Sequence, residues 1–242
     1  MFGIPPFFKE IFEHLPNNLS DLISWREMLG EITSLSNKIL TKKGTTEVKS
    51  GLIPLLGSHI EIVDELPNAS LSTPNGERIL KLYFLQIMKA QKMYLDLRPK
   101  RFAGTKDKLS WEPNGLWGEL DADFADGIRM VYKGYYQNND ELFAKGLEKS
   151  RLIKSDWKEE KKQEVIEVFK THFSNGREEK VSFTMAGFQK SFTEIFKTLV
   201  KNKIMLDKNF LYLGIMLVTL YASLSEIEGS YDVSRIFNEV AE

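Results

Sequence analysis

The sequence predicts an all-α protein, a multi-helix bundle around a buried C-terminal helix at 209–225. Three observations carry that expectation. Apolar residues recur at spacings of three and four along most of the chain, strand-like alternation is weak throughout, and NFLYLGIMLVTLYASLS, Asn209 to Ser225, is uncharged with apolar side chains on every face of a helical projection. A helix that is apolar all round has to be enclosed by others. Seventeen residues at about 1.5 Å each span roughly 25 Å, short of the ~30 Å hydrocarbon layer, and Gly214, Thr219, Ser223 and Ser225 dilute the run, so a buried helix is expected and a transmembrane segment is not. Asp207 precedes it as an N-terminal acceptor, and Gly229 supplies a stop.

The remaining elements follow in order. Phe8, Ile11, Phe12 and Leu15 give one stripe on a short helix over 7–15 that ends before Pro16. Ser20 is placed to cap a second helix with Ile23, Trp25, Leu29, Ile32, Leu35 and Ile39, closed by Lys42, Lys43 and Gly44. Between Thr45 and Gly76 the period fails, and Gly51, Pro54, Gly57, Pro67 and Pro74 mark an irregular connection with room for one short helix. Asn75 opens GERILKLYFLQIMKAQKMYL, whose Ile79, Leu82, Tyr83, Ile87 and Tyr94 share a face; Pro99 ends it. The stretch from Arg98 to Trp117 has no clear period. Long loops of this kind inside a compact domain are often functional.

Helical rhythm then returns. Asp121 or Asp123 can cap a helix carrying Phe124, Ile128, Val131, Tyr132 and Tyr135, and Asn138 or Asn139 a shorter one with Phe143 and Leu147. Ser155 or Asp156 begins DWKEEKKQEVIEVFKTHF, which places His172 with Val165, Val168 and Phe169 on the apolar side; Phe188, Phe192, Ile195, Phe196 and Leu199 repeat the pattern over 183–201. A short piece at 231–240 closes the chain.

Composition bounds the rest. At 242 residues with 42% hydrophobic content, the chain suits a single all-helical domain over 1–242, with any subdivision falling between 1–75 and 76–242. The absence of cysteine excludes disulfides, thiolate metal sites and a cysteine nucleophile. MFGIPPFFKEIFEHLP has no basic lead and is broken by Pro5 and Pro6, so it does not read as a signal peptide; cytoplasmic residence is expected. Thirty-three basic against thirty-four acidic residues give a net charge of −1, with no global field to attract nucleic acid.

Tests for chemistry are mostly negative. His14, His59 and His172 form no ligand pair, so no metal site is expected, and His172 reads as a hydrogen-bonded packing histidine. DADFADG, Asp121 to Gly127, lacks the alternate-position oxygens of a calcium loop and has Tyr132 where the bidentate Glu belongs. No GxxxxGK[ST], GxGxxG or GxSxG occurs, and no cofactor is expected. The best polar constellation is Asp96, Arg98, Lys100 and Arg101, followed by Lys106 and Lys108, with Trp111 and Trp117 bracketing Glu112, Pro113 and Asn114. It offers a candidate anion site with an aromatic wall, which Tyr135 and Tyr136 of the GYY motif can extend. The plainer alternative is that Asp96 and Arg98 pair locally, the lysines are solvated and the tryptophans pin the loop, and charge clusters of this kind are usually surface features.

From about Leu80 onward the chain resembles the C-terminal part of the AarF/UbiB family of atypical kinase-like proteins. LKLYFLQIMKAQKMYLDLRPKRF looks like that family's helix plus catalytic segment, with LDLRPKRF standing where the family has HADPHPGNF, so that Asp96 matches the catalytic aspartate and Pro99 the proline. FADGIRMVYKGYYQNNDELFAKGLEKSRLI and VKNKIMLDKNFLYLGIMLVTLYASLSEIEG are similar to its tail helices. Lys100 and Arg101 replace the family's Gly-Asn, which removes a magnesium-holding asparagine, and no DFG follows; GLWGELD, Gly115 to Asp121, stands nearest. The first 75 residues carry no glycine-rich nucleotide loop. The resemblance implies a chain that kept the helical lobe and lost phosphoryl-transfer machinery.

The expectation is therefore a non-catalytic binding protein for a protein partner or a hydrophobic small molecule. Two enzyme readings compete with it. One is a divergent magnesium-dependent phosphoryl-transfer or ATPase enzyme using Asp96 as base and Asp121 or Asp123 for metal; the other is a helical-bundle enzyme acting on a lipophilic substrate. An apolar cavity with a few inward polar groups favours a small-molecule ligand.

Overall fold

A computed structural model describes residues 22, 24–105 and 107–242. The short helix expected over 7–15, the cap at Ser20, and Ile23 and Lys106 lie outside the described residues. Among the described residues the chain is mainly helical, with nine α-helices and three small sheets. The helices are α1 (Trp25–Thr41), α2 (Thr45–Leu56), α3 (Thr73–Lys89), α4 (Ala122–Tyr136), α5 (Asp140–Lys149), α6 (Glu159–Phe173), α7 (Met185–Lys201), α8 (Lys208–Ile227) and α9 (Val233–Ala241). One apolar cluster runs from Leu22 to Val240.

The strands are the departure from an all-α reading. β1 (Ile60–Ile62) pairs in parallel with β4 (Leu109–Trp111), which pairs antiparallel with β3 (Phe102–Gly104). β2 (Lys92–Tyr94) pairs with β5 (Trp117–Glu119), and β6 (Val181–Ser182) with β7 (Ser230–Tyr231), both antiparallel. The segment from Arg98 to Trp117 is thus mostly hairpin and strand, and the third expected helix stops at Lys89 where the sequence reading carried it to Leu95. Its end has a physical cause. Arg129 of α4 donates from Nε to the Ile87 carbonyl at 3.1 Å and from Nη2 to the Ala90 carbonyl at 3.0 Å, occupying the terminal acceptors from outside. Its start lies two residues earlier than expected, with Asn75 Oδ1 accepting from Ser72 N and Oγ at 2.9 and 2.7 Å.

Other caps follow the sequence more closely. Asn139 accepts from Leu142 N, Thr184 from Gly187 N, and Asp207 from Asn209 N and Phe210 N. Asp121 occupies an N-cap position but turns elsewhere: its carboxylate accepts from Asn209 Nδ2 at 3.0 Å and faces Lys208 Nζ at 3.2 Å, and these contacts, the amide bond first, hold its pKa below the usual carboxylate value. The stop of α8 is Glu228, left-handed at φ 54°, one residue before Gly229.

Helix α8 is twenty residues long and buried along most of its length. At twenty residues it is long and apolar enough to cross a membrane by length and composition alone, longer than the seventeen-residue run expected; what speaks for an interior helix is that 67% of its most apolar window lies inside the protein. Helices α4 and α5 meet most intimately. A Cβ on Gly127 would stand 2.8 Å from the Gly146 carbonyl oxygen, and one on Gly146 would stand 2.7 Å from that of Gly127, so backbone packs on backbone there.

Candidate functional site

Two places concentrate polar chemistry. The first is the LDLR string, Leu95 to Arg98, which runs buried along α8. Thr219 Oγ1 accepts from Leu97 N at 3.1 Å and lies 3.0 Å from the Leu95 carbonyl, and Ser223 Oγ donates to the Leu97 carbonyl. The polar residues that dilute the apolar helix therefore dock this extended segment. Asp96 is 1% exposed. Its oxygens accept from Arg98 Nε at 2.8 Å and Nη2 at 2.7 Å and from Asn114 Nδ2 at 2.7 Å, with Arg101 Nε at 3.4 Å. Asp96, Arg98 and Arg101 are thus brought together as the sequence suggested, in the locally paired arrangement. Lys100 is exposed on the following turn, beside a surface depression of about 570 Å³ whose wall includes Leu71, Phe102 and Glu226.

The aromatic wall does not assemble as one surface. Trp111 is fully buried on β4 between Tyr94 and Phe102. Trp117 donates from Nε1 to the Lys43 carbonyl at 2.8 Å and lies under Lys38 Nζ, 3.9 Å from the ring centroid, which pins β5 to the end of α1. Burial, offset by Glu31 and Glu119, holds the Lys38 ammonium below its ordinary pKa. Tyr135 and Tyr136 belong to a separate cluster with Phe173 and Phe237.

That cluster borders the second place, a cavity of about 540 Å³ between α3, α4, α6, α7 and α8. Helical spacing builds it: Leu80, Tyr83 and Phe84 face in from α3, Tyr132 and Tyr136 from α4, and Leu217, Leu220 and Tyr221 from α8. Of the four aromatic residues singled out in the sequence, Tyr136 lines it. Polar side chains on the wall include Thr171, Ser182 and Thr184 besides those bonded in pairs. Tyr83 and Tyr132 hydroxyls bond each other, His172 Nδ1 bonds Ser191 Oγ, and Lys190 and Glu194 stand exposed at the rim. Burial pushes the phenols of Tyr83, Tyr132 and Tyr136 up and the His172 imidazole down to about 4, so every one of these groups is neutral at pH 7.

The sequence placed His172 on an apolar face, and a hydrogen-bonded packing histidine is what stands there. Its contact with Ser191 superficially suits a base and a nucleophile. An imidazole with a pKa of about 4 is a poor base at neutral pH, and among the described residues no carboxylate bonds its ring. No group of three metal-ligating side chains occurs among the described residues. Ser191, Thr184 and the Tyr83–Tyr132 pair escaped sequence reading, because they come together from elements about 50 to 100 residues apart. No protein-family model matches the chain, and no curated protein is similar to it.

Proposed function

We propose that this is a non-catalytic binding protein whose occupant is a hydrophobic small molecule held between α3, α4, α6, α7 and α8. The observation that carries the reading is the aromatic cavity of about 540 Å³, within the roughly 300–1,000 Å³ usual for small-molecule sites and furnished with a few convergent neutral polar groups. A docking face for a protein partner has less support. The large apolar side chains exposed among the described residues, Leu29, Leu40, Ile53 and Met205, come from three separate segments.

The same proposal takes α8 as the pillar of a helical bundle, the chain as cytoplasmic without a transmembrane segment or nucleic-acid partner, and the likeness to AarF/UbiB proteins as that of a relative without phosphoryl-transfer residues. The hydrogen bonds to Asp96 from Arg98 and Asn114, with Arg101 Nε 3.4 Å away, support a structural aspartate over a catalytic base. A second reading, an enzyme acting on a lipophilic substrate, draws on the His172–Ser191 contact in the cavity wall. Titration with the uncharged fluorophore Nile red tests the first reading. Saturable binding is expected, and Leu217→Trp, at a half-buried position on the wall, should abolish it; equal binding by both proteins argues against the cavity.

A further inference from the structure

The cavity contains an unfinished hydrogen-bond set. Tyr83 and Tyr132 each carry one phenolic proton, and their hydroxyls are bonded to each other. One proton serves that bond, and among the described residues neither phenol has a further hydrogen-bond partner. One O–H is therefore left to donate. Both side chains line the cavity, and they are 1% and 5% exposed. Leaving a buried donor unmade costs about 1–3 kcal/mol, which an acceptor oxygen arriving from a ligand would relieve.

Charge narrows the ligand further. Lys190 and Glu194 are the only charged residues on the cavity wall among those described; both lie exposed on the rim, and Glu194 is paired with Lys197 Nζ at 2.8 Å. His172 is neutral because burial lowers its pKa. Nothing inside can compensate an anion, and burying a carboxylate without a partner is costly. Lys190 is exposed to solvent at the rim, where an ion pair with an acid head contributes little.

Resting on the small-molecule reading above, we propose that the occupant is an uncharged lipophile bearing a hydrogen-bond-accepting oxygen, such as an ester, ketone or ether, which takes the spare proton of the Tyr83–Tyr132 pair. The phenols orient the ligand by its buried end, and the surrounding rings hold its apolar body.

Calorimetric titration of the full chain with methyl dodecanoate, dodecanoate and dodecane at neutral pH tests this. The ester is expected to bind at least about tenfold more tightly than the acid anion, equivalent to ~1.4 kcal/mol. The double variant Tyr83→Phe/Tyr132→Phe should lose about tenfold in ester affinity with dodecane unchanged, while each single variant retains one free phenolic proton and with it ester binding. Dodecanoate binding as tightly as the ester overturns the neutral-ligand inference and leaves the small-molecule reading standing. An ester affinity unaffected by the double substitution overturns the role given to the phenols. Failure of all three probes to bind removes the small-molecule reading itself, and this inference with it.

Discussion

Arg98 grips Asp96 through two nitrogens, Nε on one carboxylate oxygen at 2.8 Å and Nη2 on the other at 2.7 Å, in the protein interior two residues away along the chain. Buried ion pairs are not strong evidence of net stability, but breaking one leaves an uncompensated charge. Asp96→Asn should destabilise the protein by about 3–5 kcal/mol in urea denaturation. Replacing Asp96 and Arg98 together by apolar residues of similar size should cost less than the two single changes summed. Because Arg98 and Asn114 already bond the carboxylate, ATP with magnesium should leave the melting temperature unchanged, and a rise of several degrees would favour the phosphoryl-transfer reading.

Thr219 and Ser223 hold the strand-like LDLR string against α8. Thr219→Val keeps the shape and removes the hydroxyl, leaving the buried Leu97 N–H without its acceptor. A loss of about 1–3 kcal/mol is expected in equilibrium unfolding. A neutral result would mean that the segment finds another partner.

Gly127 and Gly146 set the distance between α4 and α5. Gly146→Ala puts a methyl 2.6 Å from Val131 N and 2.7 Å from the Gly127 carbonyl oxygen, so the helices must separate. Overpacking of this kind typically costs about 1–3 kcal/mol, against the small gain that alanine gives in an unconstrained helix. The melting temperatures of the two proteins decide the sign.

His172 makes stability pH-dependent in a defined direction. Its folded pKa, lowered by burial to about 4, lies below the ordinary 6.5, so the native state holds the neutral ring while the unfolded chain protonates it. The contribution is complete above pH 6.5 and is lost as pH falls toward 4, amounting to about 3 kcal/mol at most, less for the part of the ring that reaches solvent. His172→Gln should therefore lose less stability than the native protein between pH 7 and pH 5 in parallel urea titrations.

Much of this architecture is written locally. The uncharged run at 209–225, the period-3.6 stripes through Phe143, Val165 and Phe188, and the caps Asn139 and Asp207 each act within a few residues, and each is found where the spacing put it. The strands leave no such trace. β1 and β4 are three residues each, and Ile60 meets Leu109 across 49 residues, so no alternation accumulates and the pairing is decided by tertiary packing. The LDLR cluster was legible because Asp96 and Arg98 are near neighbours in sequence. The cavity was not, since Tyr83, Tyr132, His172 and Leu217 reach it from four different helices, and each alone looks like core.

The most direct measurement is mass spectrometry of the solvent extract from natively purified protein, compared with the Leu217→Trp variant. A small neutral organic species at close to one per chain, absent from the variant, is the expected result. An extract with no more organic content than that of the blocked variant would contradict the assignment of this cavity as a binding site.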